Sequence, residues 1–137
     1  MPWFCKFQCS SDALLRIKSA ATRADASAAF DLEVRGKLAR LTFQSPEDIA
    51  DGVRLVCASE LWNEIALAKG ATAATKTTLA KKLKKDLSIV VERRNKIAHE
   101  GDLQPSIPRT PWPITRADVL YVAKFIEDLV QTIDKIV

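Results

Sequence analysis

Apolar residues recur along this chain at helical intervals, and no run of four to eight residues alternates in the way a strand would. Over Ser45 to Gly70, SPEDIADGVRLVCASELWNEIALAKG, the start and stop signals agree. Ser45 suits an N-cap, Pro46 the first helical position, Glu47 and Asp48 the acidic first turn, and Gly70 the stop. At about 100° per residue, Ile49, Val53, Val56, Cys57 and Leu67 share one face, and Leu55, Ala58, Trp62 and Ala66 form a second. The pattern predicts one helix, apolar on two sides, in the middle of a bundle. Glu60 falls within the first face and needs a partner or a wet boundary there.

From Thr77 to about Ala98, Leu79, Leu83, Leu87 and Val90 are spaced by four, four and three, an amphipathic helix. The same stripe continued lands on Arg94 and Ile97, so an arginine occupies a position that the pattern assigns to the packed face. After Gly101, the string DLQPSIPRTPWPI carries Pro105, Pro108, Pro111 and Pro113, which forbid a regular helix and stiffen a loop. Thr115 and Asp118 then form a capping box ahead of Val119, Val122, Ile126, Leu129, Ile133 and Ile136, a closing helix. Leu14, Leu15, Ile17 and Ala21 suggest a helix beginning near Ser11. Phe30, Leu32, Val34, Leu38 and Leu41 suggest another that stops before Ser45, with Asp25 and Gly36 leaving the boundary between them open. The expected class is all-α, an up-and-down bundle of four to five helices.

Composition narrows the function classes. A chain of 137 residues, 47% of them hydrophobic, fits a single domain over 1–137 with its own core. No stretch approaches the roughly 18 uncharged apolar residues of a membrane span. The N-terminus MPWFCKFQCSSD lacks the basic and apolar segments of a secretory signal, so the expected location is the cytoplasm. Cys5, Cys9 and Cys57 form no CxxC pair, and a single histidine is available to join them, so neither a metal site nor a cofactor is expected. Cys57 reads as a small core residue.

That histidine, His99, lies in VERRNKIAHEGD at the end of the second amphipathic helix. A solvent-facing histidine there can simply cap free carbonyls and favour the helix dipole. Its company suggests more. An imidazole titrates near neutrality and can act as acid or base, while a guanidinium offers five donors in a fork that matches phosphate oxygens. Asn95 and His99, four apart, share a helix face. Arg94 and His99 differ by about 140° in direction and ~7.5 Å in height on an ideal helix. Either the helix ends or distorts before His99, or a second copy of the motif completes the site.

RRNKIAHEGD, with its R-N-x-x-x-H spacing, resembles the signature of the HEPN superfamily. The span from Ser45 to Val137, about two thirds of the chain, most resembles the RiboL-PSP type through CASELWNEIA, RRNKIAHEGD, RTPWPI and the closing helix. Residues 1–44 add little to the likeness beyond helical character. The resemblance implies a helical bundle that dimerises with two motifs facing each other across the interface. It also implies a metal-independent endoribonuclease of a toxin or phage-defence system, held in check by an antitoxin or sensor partner. Arg94 would bind the scissile phosphate, Asn95 would orient His99 or the phosphate, and His99 would activate the 2′-hydroxyl or protonate the leaving 5′-oxygen. A silent RNA- or nucleotide-binding module, or an interaction domain paired with an antitoxin, is the alternative that the family also offers.

Charge fits an RNA partner. Between Lys76 and Lys96 eight basic residues face two acids, so this stretch alone exceeds the whole chain's net +4. Lys81, Lys82, Lys84 and Lys85 suit a solvated face or an electrostatic track for RNA backbone. Arg93 and Lys96, beside the motif, are the stronger candidates for phosphate contact, with Arg109 of the proline loop a third. Glu60 and Glu64 are candidate ion-pair partners for Arg94. Trp62 reads as core, and Trp112 as packing under the loop or filling a groove on a partner.

Overall fold

A computed structural model describes residues 7–137, so Cys5 lies outside the described residues. All-α is the class observed: six helices, with no strand among the described residues. Two compact units divide the chain, the first ending at Ser59 and the second spanning Glu60–Val137.

The first unit holds α1 (Ser11–Ser19), α2 (Arg23–Leu38) and α3 (Pro46–Arg54). Each starts at a hydroxyl: Ser10, Thr22 and Ser45 accept from the backbone N–H of Ala13, Asp25 and Asp48 respectively, which satisfies a donor with no helical partner. α1 packs on α2, where Glu33 accepts from the Ser10 N–H at 2.9 Å and so ties α2 to the start of α1. Ahead of α3 the ring of Phe43 lies where a side chain on Gly52 would sit, and glycine permits that approach.

The second unit holds α4 (Leu61–Ala68), α5 (Lys76–Glu100) and α6 (Arg116–Ile136). α4 packs against both α5 and α6 and supplies Leu61, Trp62, Ile65 and Ala66 to the core, Ile65 being fully buried. Ala80, Leu83 and Leu87 from α5 and Leu129 from α6 complete that core. A helix apolar on more than one side thus sits between two neighbours, as its pattern requires. Trp62 is core, as expected.

The helix expected over 45–70 is in fact two, α3 and α4, which raises the helix count to six. The Leu55 N–H turns back to the Gly52 carbonyl, and the Val56 and Cys57 N–H groups both bond the Val53 carbonyl at 3.1 and 2.8 Å, tightening and ending α3. Cys57 Sγ lies 3.3 Å from Ser59 Oγ, a local contact that competes with helix, and Val56, Cys57 and Ser59 are middling helix formers. Cys57 is half-buried there rather than a core residue. The chain resumes its helix at Glu60, whose carbonyl accepts from the Asn63 and Glu64 N–H groups. Glu60 has both a partner and a wet boundary: it is exposed and accepts from Asn63 Nδ2 at 2.6 Å.

Candidate functional site

α5 carries the motif, and the helix runs unbroken through His99 to Glu100. It stops at Gly101, whose φ of 66° is a left-handed conformation that glycine adopts without strain, and Asp102 follows at φ 54°. The Lys96 carbonyl receives the N–H groups of both Gly101 and Asp102. Backbone therefore closes this end of the helix. His99 is exposed and makes no side-chain hydrogen bond among the described residues, so it does not act as a cap.

Arg94 is exposed although the leucine stripe of α5 leads onto it. Its Nη1 donates to Asn95 Oδ1 at 3.0 Å, and neither Glu60 nor Glu64 pairs with it. With Oδ1 occupied, what Asn95 can still offer to His99 or to a phosphate is its Nδ2 donors. Most of the Arg94 fork also stays free. The helix geometry keeps Arg94 and His99 on different sides of α5, since the helix is unbroken between them.

Arg93 is placed differently from its neighbour. Its Nη2 lies 2.5 Å from Asp102 Oδ2, and the same nitrogen lies 3.5 and 3.4 Å from the Trp112 and Pro113 carbonyls. Asp102 is 7% exposed, the one buried polar or charged residue in the described chain. The sequence put Arg93 forward for phosphate contact; the structure spends its guanidinium on holding the proline loop to α5. The sequence left Asp102 either as a loop residue or as part of the site and gave no sign of this pairing, since a contact to a position nine residues earlier leaves no local signal.

The loop itself is ordered by backbone. Trp112 N–H donates to the Asp102 carbonyl and Gln104 N–H to the Thr110 carbonyl, both at 2.8 Å, with an isolated bridge between Leu103 and Pro111. Gln104 Nε2 adds a bond to the Pro111 carbonyl at 3.2 Å. Thr115 and Asp118 then cap α6 reciprocally, as their spacing predicts. Hydrogen bonds from the Thr115 side chain and backbone hold the Asp118 carboxyl below its ordinary value.

Two hollows flank the motif. The first, about 210 Å³, is an apolar groove where the last turns of α5 face the start of α6, lined among others by Val90, Ile97, Ile114, Val119 and Val122. Ile97, Ile114 and Val119 remain about half exposed in it. The second, about 380 Å³, has a mixed polar and apolar lining and lies at the loop side of the helix end, lined by Glu100, Leu103, Gln104, Pro105 and Arg109. Lys96, Arg94 and His99 are exposed on α5 itself, and Arg109 is exposed on the loop. Lys81, Lys82 and Lys85 are exposed further back on α5, with Lys84 half-buried. Among the described residues no three His, Cys, Asp or Glu side chains gather as metal ligands, and no helix is long and apolar enough to cross a membrane.

An all-α unit that ends a long basic helix on R-N-x-x-x-H, turns through a pinned proline loop and closes with a final helix defines a HEPN-type domain. The RiboL-PSP-HEPN family model matches residues 59–137, more than half of the chain, and the chain belongs to that family. The match begins within a residue of the second unit, so α3, which the sequence likeness had included from Ser45, falls outside it. No curated protein and no solved structure matches the chain.

Proposed function

We propose that this protein is a metal-independent endoribonuclease whose site is composed of Arg94, Asn95 and His99 from two copies of the chain. The observation that carries this is the uninterrupted course of α5 through the motif, with Arg94 and His99 both exposed and unspent on the fold. An arginine and a histidine about 140° apart on one unbroken helix point in different directions, whereas two facing helices bring one of each together. The half-exposed Ile97, Ile114 and Val119 beside the motif supply apolar surface for such an association.

In the reaction, the 2′-hydroxyl oxygen attacks the adjacent phosphorus as it loses its proton to one imidazole. The 5′-oxygen leaves with a proton taken from water. Arg94 stabilises charge building on the phosphoryl oxygens, and Asn95 Nδ2 steadies His99 or a phosphoryl oxygen. The products are a 2′,3′-cyclic phosphate and a 5′-hydroxyl end. Lys96 and the lysines earlier in α5 attract the backbone, while Arg93 contributes by fixing the loop. Unchecked cleavage of RNA harms its host, which favours a toxin–antitoxin or phage-defence setting with an antitoxin or sensor as regulator.

The chemistry is tested with an RNA carrying a single 2′-deoxynucleotide at a mapped cut. The expected result is loss of that cut alone, with cyclic phosphate ends at the others. Cutting that persists at the deoxy position contradicts 2′-hydroxyl attack.

A further inference from the structure

The pocket between the end of α5 and the proline loop has a chemistry of its own. Glu100 and Arg109 both line it yet form no ion pair with each other, and neither side chain has any other hydrogen-bond or ion-pair partner among the described residues. Leu103 and Pro105 give it apolar wall, and Gln104 is held in place by its bond to the Pro111 carbonyl. Glu100 follows His99 directly along α5, which places the pocket at the motif end of that helix.

We propose that this pocket reads a guanine base flanking the cut. A guanine edge presents two neighbouring donors, N1–H and the N2 amino group, beside the O6 acceptor. An ionised carboxylate accepts both donors, and a guanidinium donates to O6 or N7, so the Glu100 and Arg109 that line one pocket match the two kinds of group on guanine. Adenine sets its N1 lone pair against the carboxylate, and uracil offers a single N3–H flanked by two carbonyl oxygens, so both are disfavoured by repulsion as well as by lost bonds. Leu103 and Pro105 supply apolar surface for the planar ring. This specificity rests on the ribonuclease proposal for its biological meaning, but the pocket's preference for guanine is measurable without cleavage.

The test is titration of the full chain with four uncleavable 2′-O-methyl trinucleotides, UXU with X as G, A, C or U, and with guanosine monophosphate. The expected result is binding of UGU about 10-fold or more tighter than UAU. Glu100→Gln then erases the preference and leaves UUU unchanged, and Arg109→Ala weakens UGU most. Guanosine monophosphate binding as tightly as UGU would make a free nucleotide the source of the guanine; weaker binding makes it a strand. Equal binding of all four trinucleotides, or a preference that survives Glu100→Gln, overturns the inference. Cleavage mapped on the same protein separates the two claims. Cutting without base preference leaves the ribonuclease and removes the guanine pocket, while guanine preference without cutting does the reverse.

Discussion

Arg93 Nη2 meets Asp102 Oδ2 at 2.5 Å, joining the last turns of α5 to the first residue after its glycine stop. Adjacent arginines thus take separate duties, because one step along a helix turns the side chain by about 100°. Arg93 goes to the loop and Arg94 to solvent. The pair holds position more than it adds stability, for Arg93 Nε and Asp102 Oδ1 are buried without a hydrogen-bond partner among the described residues and offset part of the gain.

Removing one member of that pair strands the other. Asp102→Asn is expected to cost about 2 kcal/mol in urea unfolding, the scale of a hydrogen bond to a charged group. Amide exchange over residues 103–114 should rise with it. Arg94→Ala, at an exposed position, should change stability by less than about 0.5 kcal/mol.

Ile65 is the keystone of the second unit, at 0% exposure on a helix of only eight residues. Ile65→Ala is expected to lower unfolding free energy by about 3 kcal/mol, the ordinary cost of deleting a buried aliphatic side chain. Thermal melting of the full chain measures it. A change under about 1 kcal/mol would mean that α4 does not anchor α5 and α6.

Acid should loosen the first turn of α6. The Asp118 carboxyl lies below its ordinary value of 3.8 because Thr115 donates to it from side chain and backbone. A carboxyl lowered by folding contributes stability that is present above the unfolded value and is lost as pH falls through the folded one. Amide exchange at residues 116–119 should therefore speed up as pH is taken below about 4, after correction for the intrinsic rate. Thr115→Val should remove most of that pH dependence.

A site shared between copies predicts complementation. Where each site takes its arginine from one protomer and its histidine from the other, chains bearing Arg94→Ala and chains bearing His99→Ala are each inactive alone. Mixed at random, they regain about a quarter of parental cutting, half the dimers being mixed and each holding one complete site. Val119→Glu, placed in the apolar groove, should reduce both self-association in sedimentation and cutting while leaving the melting temperature unchanged.

Much of this architecture is legible in the amino-acid order where the signal is local. The Thr115–Asp118 box, the Ser45–Pro46 start, the Gly101 stop and the leucine spacing of α5 each lie within a turn or two of what they control. The division of 45–70 was not legible, because Leu61, Trp62 and Ala66 continue an acceptable helical pattern across a break made by backbone bonds to Gly52 and Val53. Nor was the Arg93–Asp102 pair, which depends on how the chain folds back past the glycine stop. Arg94, Asn95 and His99 stood out in sequence by type and spacing, and the exposure of Arg94 and His99 on one unbroken helix is what only the structure adds.

Cleavage of a labelled structured RNA in EDTA, by the parent protein and by His99→Ala at matched oligomeric state, tests the central claim most directly. The account predicts cutting by the parent that survives EDTA, leaves 2′,3′-cyclic phosphate ends and vanishes in the variant. Binding of several RNAs by both proteins with cutting by neither would contradict it and leave a binding module in its place.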